Sequence, residues 1–209
     1  VGKANAVIFD LLNRLRALFP VKIEREQKPM LRIAWGNKVN PNFREKVIEI
    51  CKYLGIEPSN LMSCIAFETK ETFSPGIRNA AGSGAVGLIQ FMASTAISLG
   101  TTTMLLSQMN AVDQLDYVKK YFAAYKGRIK TLEDTYMAIL YPIAIGKPVD
   151  FVLFSQNNTN GYMKQYIQNK GLDWNKDGNI TKQEACLGVR NRLDKGLLPE
   201  NVFEYEGEL

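Results

Sequence analysis

The feature that most constrains this chain is a train of apolar residues at helical spacing that breaks off at a loop of glycine, serine and alanine. Phe43, Val47, Ile48, Cys51 and Leu54 fall at i, i+4, i+5, i+8 and i+11, one face of a helix, and Gly55 supplies a stop. Pro58 and Ser59 offer start signals for a second helix, whose Leu61, Met62, Ile65 and Ala66 run up to Phe67-Glu68. The loop Phe73–Gly87 follows, punctuated by Pro75, Gly76, Gly82, Gly84 and Gly87. Further helices are expected over Gly87–Phe91, Ser94–Leu99, Ala111–Tyr125 and Thr131–Tyr141, the last opened by Thr131 with Asp134 three positions on, a capping-box-like pair. The middle of the chain carries no run of alternating β-branched residues, and no repeat of about 20–50 residues marks a solenoid. The expected fold class is therefore mainly α.

Composition removes whole classes of chemistry. Histidine is absent from all 209 residues. That excludes Ser-His-Asp and Cys-His catalysis and the HExxH zinc sites, and leaves carboxylates, Lys, Tyr or Cys as general acids and bases. Three cysteines, Cys51, Cys64 and Cys186, are too few and too odd in number for a disulfide framework, and the first two sit in apolar helical patterns as small core residues. The formal charge of +5 is concentrated early: residues 1–50 hold ten Lys/Arg against five Asp/Glu, and the rest holds sixteen of each. Such a segment attracts anionic polymers or anionic membrane, or is simply a solvated basic surface. No cluster of basic and aromatic residues resembles a nucleic-acid reader, so no nucleic-acid partner is expected.

No stretch of about 18 uninterrupted apolar residues exists, so no transmembrane helix is expected. Asp10, Asn13, Arg14 and Arg16 interrupt the apolar stretch 6–19, which spoils it as a signal-peptide core. It reads as an amphipathic helix that packs on the domain or touches a membrane or partner. Pro20–Asn42, with three prolines and many charges, reads as a connector.

Glu68 closes the apolar run Cys64-Ile65-Ala66-Phe67, so its carboxyl should be partly desolvated. Burial raises a carboxyl pKa and keeps a proton available, the condition a glycosidase acid must meet. Residues 67–90 read FETKETFSPGIRNAAGSGAVGLIQ. This resembles the Glu-Ser…Phe-x-Pro…Gly-Ala-x-Gly-Leu-x-Gln signature of the soluble lytic transglycosylase and goose-type lysozyme superfamily, a likeness that covers roughly residues 43–146. The resemblance implies a lysozyme-like helical domain with Glu68 as catalytic acid. It implies that Thr69 (where Ser is usual), Gly84, Ala85 and Gln90 line a glycan groove with Tyr141 as the cleft tyrosine. Two departures stand out: Pro142 replaces the usual Asn after that tyrosine, and the loop between Glu68 and Phe73 is longer than common.

Cutting a glycosidic bond ordinarily takes two carboxyls. The resemblance implies a different route for lytic transglycosylases, in which one Glu protonates the glycosidic oxygen and then deprotonates the sugar's own 6-hydroxyl, closing an anhydro ring. Goose-type lysozymes deliver water instead. Glu71 is the nearest second carboxylate, and reads either as a catalytic partner or as a solvated loop residue.

Residues 173–184 read DWNKDGNITKQE. Oxygen ligands fall at positions 1, 3 and 5 (Asp173, Asn175, Asp177), Gly178 at 6, the Asn179 carbonyl at 7, Thr181 at 9 and Glu184 at 12, the EF-hand calcium pattern. Flanking helices are expected at Gly161–Lys170 and Thr181–Lys195. Sensor EF-hands work in pairs, so this single EF-hand-like loop near the C terminus is expected to hold a structural Ca²⁺ and to clip the C-terminal segment onto the domain. The alternative is a surface turn that caps the next helix. Together with the acidic loop, the signature resembles phage-type cell-wall lytic enzymes.

The expected organisation is an N-terminal amphipathic helix and basic connector (1–42), a catalytic domain (43–160) and a calcium-binding segment (161–209). The expected activity is cleavage of the β-1,4 bond between N-acetylmuramic acid and N-acetylglucosamine in peptidoglycan. Anhydro-forming cleavage is favoured over hydrolysis, with an inactive calcium-binding phage structural protein as the remaining alternative. The partners are then glycan strands and, through the basic segment, anionic membrane. The protein would be a monomer acting on the bacterial wall from the periplasm or the exterior, as a phage endolysin or a virion-associated enzyme.

Overall fold

Asn40-Pro41 opens the first helix by simple chemistry. The Asn40 side chain accepts the Phe43 N–H at 2.9 Å, and proline at the first helical position has no N–H to leave orphaned. Helix α1 (Pro41–Leu54) buries Phe43, Val47, Ile50, Cys51 and Leu54, then stops at Gly55, whose positive φ of 72° suits a left-handed cap. Helix α2 (Pro58–Glu68) follows, and its residues Leu61 to Ala66 are fully buried. At about 1.5–3 kcal/mol for each large apolar side chain, such a helix is held by its surroundings rather than by intrinsic propensity.

The computed structural model describes residues 30–79, 82–157 and 162–206; the expected amphipathic helix at 6–19 lies outside them. The fold is mainly helical. After α2 come α3 (Ala93–Ser98), α4 (Thr103–Gln108), α5 (Ala111–Ala123), α6 (Leu132–Leu140), α7 (Tyr162–Asn169) and α8 (Lys182–Gly196). Among the described residues there are four short strands in two antiparallel pairs. The strand β1 (Met30–Ile33) pairs with β4 (Phe203–Glu206), and β2 (Val152–Ser155) pairs with β3 (Asn179–Thr181). Among the described residues no helix is long and apolar enough to cross a membrane.

Helix α2 is the centre of the packing. It lies along α8 on one side and touches α1 and α6 on others, while α1 packs on α5 and α6 on α8. Gly188 of α8 permits the close approach, since a Cβ there would sit 2.5 Å from the Phe67 ring. One core cluster runs from Ile33, Ala34 and Trp35 through α1, α2, α5 and α6 to Ile180, Ala185, Cys186 and Val189. Packing thus continues across residues 42 and 160, where domain boundaries were expected. The stretch read as a connector contains β1 and the buried Trp35, whose indole N–H donates to the Arg192 carbonyl at 2.8 Å.

Two other expectations need revision, and the reading of the cysteines does not. Gly87–Phe91 is no helix: Gly87 and Gln90 both have positive φ, and Val86 and Phe91 exchange backbone hydrogen bonds as a β-bridge. Thr103–Gln108 is a helix that was not expected; the Thr102 side chain caps it by accepting the Leu105 N–H. Cys51, Cys64 and Cys186 are all buried free thiols.

Candidate active site

Glu68 stands on the last turn of α2, half-buried, behind Cys64, Ile65 and Ala66, which have no exposure at all. Burial pushes its carboxyl from the ordinary 4.5 up to about 7. Among the described residues no side-chain or backbone donor reaches it, and no cation pairs with it. Its neighbours are instead aromatic. Phe67 meets the ring of Tyr136 edge-on at 5.4 Å and 83°. Tyr136 is itself buried, and its phenol is raised first by that burial and then by the charge of Glu68.

The chain leaves α2 through a tight reversal. The Lys70 N–H donates to the Phe67 carbonyl and the Glu71 N–H to the Ala66 carbonyl, the paired bonds of a Schellman-type stop. Lys70, Glu71 and Phe73 all have positive φ, an unusual concentration for residues with side chains. Thr69 anchors the reversal. Fully buried, it donates its hydroxyl to the Ile65 carbonyl at 2.6 Å and accepts the Phe73 N–H at 3.1 Å. Its expected contact with glycan gives way to this role, because the hydroxyl has no exposed face.

Glu71 is neither solvated nor unattached. Its carboxylate lies 2.9 Å from Arg192 Nε and pairs also with Lys195, both on α8. The neighbouring carboxylates on α6 are engaged in the same way. Glu133 pairs with Arg190, and Asp134 makes a buried ion pair with Lys182 at 2.7 Å. Burial pushes the Asp134 carboxyl up, but the Lys182 ammonium and the Gly146 and Lys130 N–H groups outweigh it and hold Asp134 below its ordinary range.

The glycine loop folds into a small antiparallel patch with bridges Arg78–Val86 and Val86–Phe91. Gly84 is exposed at its tip and Ala85 is buried beneath. Gln90 turns its Nε2 inward to the Ile77 and Gly87 carbonyls at 3.3 and 3.1 Å, so its amide braces the loop and only its Oε1 remains to accept a bond. The residue that fixes the loop is one the sequence did not single out. Gln114 of α5 is fully buried; its Oε1 accepts the Leu88 N–H at 2.7 Å and its Nε2 donates to the Pro75 and Leu106 carbonyls. Gly87 makes room for it, since a Cβ there would lie 2.3 Å from Gln114 Oε1.

Tyr141 ends α6, and Pro142 opens a 3₁₀ turn, Pro142–Ala144. The Tyr141 ring packs against Phe154 at 5.2 Å, at one wall of a cavity of about 250 Å³ that Ile143 and the β2 residues Val152–Ser155 complete. A shallower depression of about 50 Å³ lies between Gln90, Phe91, Tyr121 and Ile139. Helix α6 therefore carries Ile139 to one depression and Tyr141 to the other.

The acidic loop lies between α7 and α8. Asp173, only 8% exposed, accepts at Oδ2 from the Tyr166 hydroxyl (2.8 Å) and the Gly178 N–H (3.0 Å), while its buried Oδ1 has no partner. Asn175 Oδ1 accepts the Asp177 N–H, Asp177 Oδ1 accepts the Asn179 N–H, and Lys176 and Gly178 take positive φ to close the turn. Thr181 caps α8 and forms a capping box with Glu184, whose Oε2 accepts from the Thr181 N–H and hydroxyl. Among the described residues no three Asp, Glu or Cys side chains gather closely enough to hold a metal.

Comparison with protein-family models, with curated proteins and with solved structures gives no match.

Proposed function

We propose that the protein cleaves the β-1,4 bond between N-acetylmuramic acid and N-acetylglucosamine in peptidoglycan, with Glu68 as the acid. The observation that carries this reading is a half-buried carboxyl, raised to about 7 and without a partner among the described residues, at a helix end followed by a braced glycine loop. A carboxyl so placed keeps its proton near neutral pH and can give it to a glycosidic oxygen. As the C1–O bond breaks, the resulting carboxylate is positioned to take a proton back.

That single group also favours anhydro-forming cleavage over hydrolysis. Glu71, Glu133 and Asp134 are each paired with a cation of α8, so among the described residues none of these carboxylates is free to activate water or to attack the sugar. Glu68 as carboxylate would remove the proton of the sugar's own 6-hydroxyl while that oxygen bonds to C1, closing a 1,6-anhydro ring. No water is consumed. Peptidoglycan strands are then the partner, the bacterial wall is the place of action, and the fold reads as a lysozyme-like helical domain with a single EF-hand-like loop.

The 173–184 loop fits Ca²⁺ as a structural ion. Asp173 Oδ1, buried and unpartnered, asks for a cation, and hard oxygens from Asp173, Asn175, Asp177, the Asn179 carbonyl, Thr181 and Glu184 make the donor set such an ion takes. The ion would supply charge neutralisation and rigidity to the turn.

Release of soluble fragments from purified sacculi tests the enzyme reading. Wild type should release them, Glu68→Gln should not, and mass spectrometry should find anhydro ends. Equal clearance by the two proteins would end the proposal, and reducing ends would replace the transglycosylase with a muramidase.

A further inference from the structure

The strand of an EF-hand-like loop presents backbone N–H and C=O groups that need a neighbour. Paired loops satisfy each other; here β3 has found β2. Phe154 faces Ile180 and Ser155 faces Asn179 in the register. The pairing extends beyond the strands, with Gln156 N–H donating to the Gly178 carbonyl at 2.9 Å, Lys182 N–H to Phe151 at 2.9 Å and Gln183 N–H to Val149 at 2.8 Å. Loop positions 6, 10 and 11 thus hold residues 156, 151 and 149, the chain that forms one wall of the Tyr141 cavity. Phe154 links the two sides: it pairs with the buried Ile180 in the sheet and packs its ring on Tyr141.

From this geometry we infer that Ca²⁺ in the 173–184 loop controls the affinity of the Tyr141–Phe154 groove for glycan, through the β2–β3 ladder. The inference rests on the calcium reading and on the glycan reading given above. The buried, unpartnered Asp173 Oδ1 supplies the ion's anchor, and the Asn179 carbonyl, a ligand position in this pattern, lies on the strand that carries the groove wall. Without the ion, Asp173 and Asp177 repel one another and β3 loosens. The wall then loosens with it, because its hydrogen bonds run to the loop.

The test uses the whole chain carrying Glu68→Gln, so that glycan is bound but not cut. Calorimetry measures Ca²⁺ binding, with exposed Trp174 inside the loop as a fluorescence reporter. Amide hydrogen exchange over Val152–Gln156 and titration with a soluble N-acetylglucosamine oligomer are read in Ca²⁺ and in chelator. With Ca²⁺ about a hundredfold above its Kd, openings that break the site should become up to about a hundredfold rarer. Exchange over Val152–Gln156 should slow accordingly, and the oligomer should bind about tenfold tighter or more. Asp177→Asn, which leaves the Tyr166–Asp173 bond in place, should weaken both effects, and Asp173→Asn should abolish them. Ca²⁺ binding with unchanged exchange and unchanged oligomer affinity overturns the coupling and leaves the calcium reading standing. No Ca²⁺ binding overturns both. An oligomer that fails to bind under either condition counts against the glycan reading, and the exchange data then decide the coupling alone.

Discussion

Replacing Glu68 with Gln should stabilise the protein above neutral pH while leaving the balance unchanged in acid. The carboxyl titrates near 4.5 when unfolded and near 7 when folded, because burial disfavours its charge. Between those values the folded state holds a proton that the unfolded state has released, so stability falls as pH rises and the full penalty is present above about 7. At about 1.4 kcal/mol per pH unit the gap bounds the penalty near 3 kcal/mol. Glu68 is only half-buried, and water relaxing around the charge reduces this to about 1–2 kcal/mol. For a chain of this size that is a shift in Tm of roughly 3–6 °C. Denaturant melts of wild type and Glu68→Gln at about pH 4, 6 and 8.5 isolate the effect, because any pH-independent cost of the amide cancels between conditions. The difference should favour Gln increasingly from pH 4 upward and level off above 7. A difference that stays flat would mean that Glu68 ionises like an ordinary surface carboxyl and holds no proton to give. Cleavage of sacculi should obey the same group, with the rate falling as pH rises through about 7.

Gln114→Leu should leave the Leu88 N–H and the Pro75 carbonyl without partners in a dry site, and the Leu106 carbonyl with the Met109 N–H alone. A loss of about 3 kcal/mol is expected in urea melts, with sacculus cleavage falling alongside it; an unchanged melt would show that the loop holds itself. Lys182→Met should cost about 3–5 kcal/mol by stranding the buried Asp134 carboxylate, and the double variant with Asp134→Leu should recover most of it. A double variant no more stable than the single one would mean that the pair holds the fold in some way other than by mutual neutralisation.

Local signals made much of the helical frame legible. The Gly55 stop, the Pro58 start and the Thr131–Asp134 pair are short-range devices, and each stands where its chemistry put it. Glu68 was legible for the same reason, since an apolar run of four residues ahead of it implies burial. The long-range partners were not. Trp35 sits among charges and near prolines, so its segment reads as a connector. Its burial comes from Gly196, over which its ring packs, and from a strand partner, Phe203–Glu206, at the far end of the chain. Gln114 lies on an amphipathic helix where a polar residue suggests the wet face, and nothing local shows that three backbone groups await it. Gly87–Phe91 misled because Leu88, Ile89 and Phe91 have helical-looking apolar content; two positive φ values turn the same content into a bridge.

Helix α8 gives the arrangement its logic. It is the last helix among the described residues, yet it packs along α2 and supplies the cations that answer Glu71, Glu133 and Asp134. Of the three, Asp134 is held below its ordinary range, while Glu68 faces aromatic and apolar neighbours and its carboxyl is pushed up. Asp134 and Glu68 are thus pushed in opposite directions by their surroundings alone. The same helix begins inside the 173–184 loop, with Thr181 and Glu184 closing its first turn. The helix whose cations pair with those carboxyls is therefore also the one that, on the calcium reading, an ion would steady, and under the proposed function the second half of the chain would contribute to the site alongside the signature.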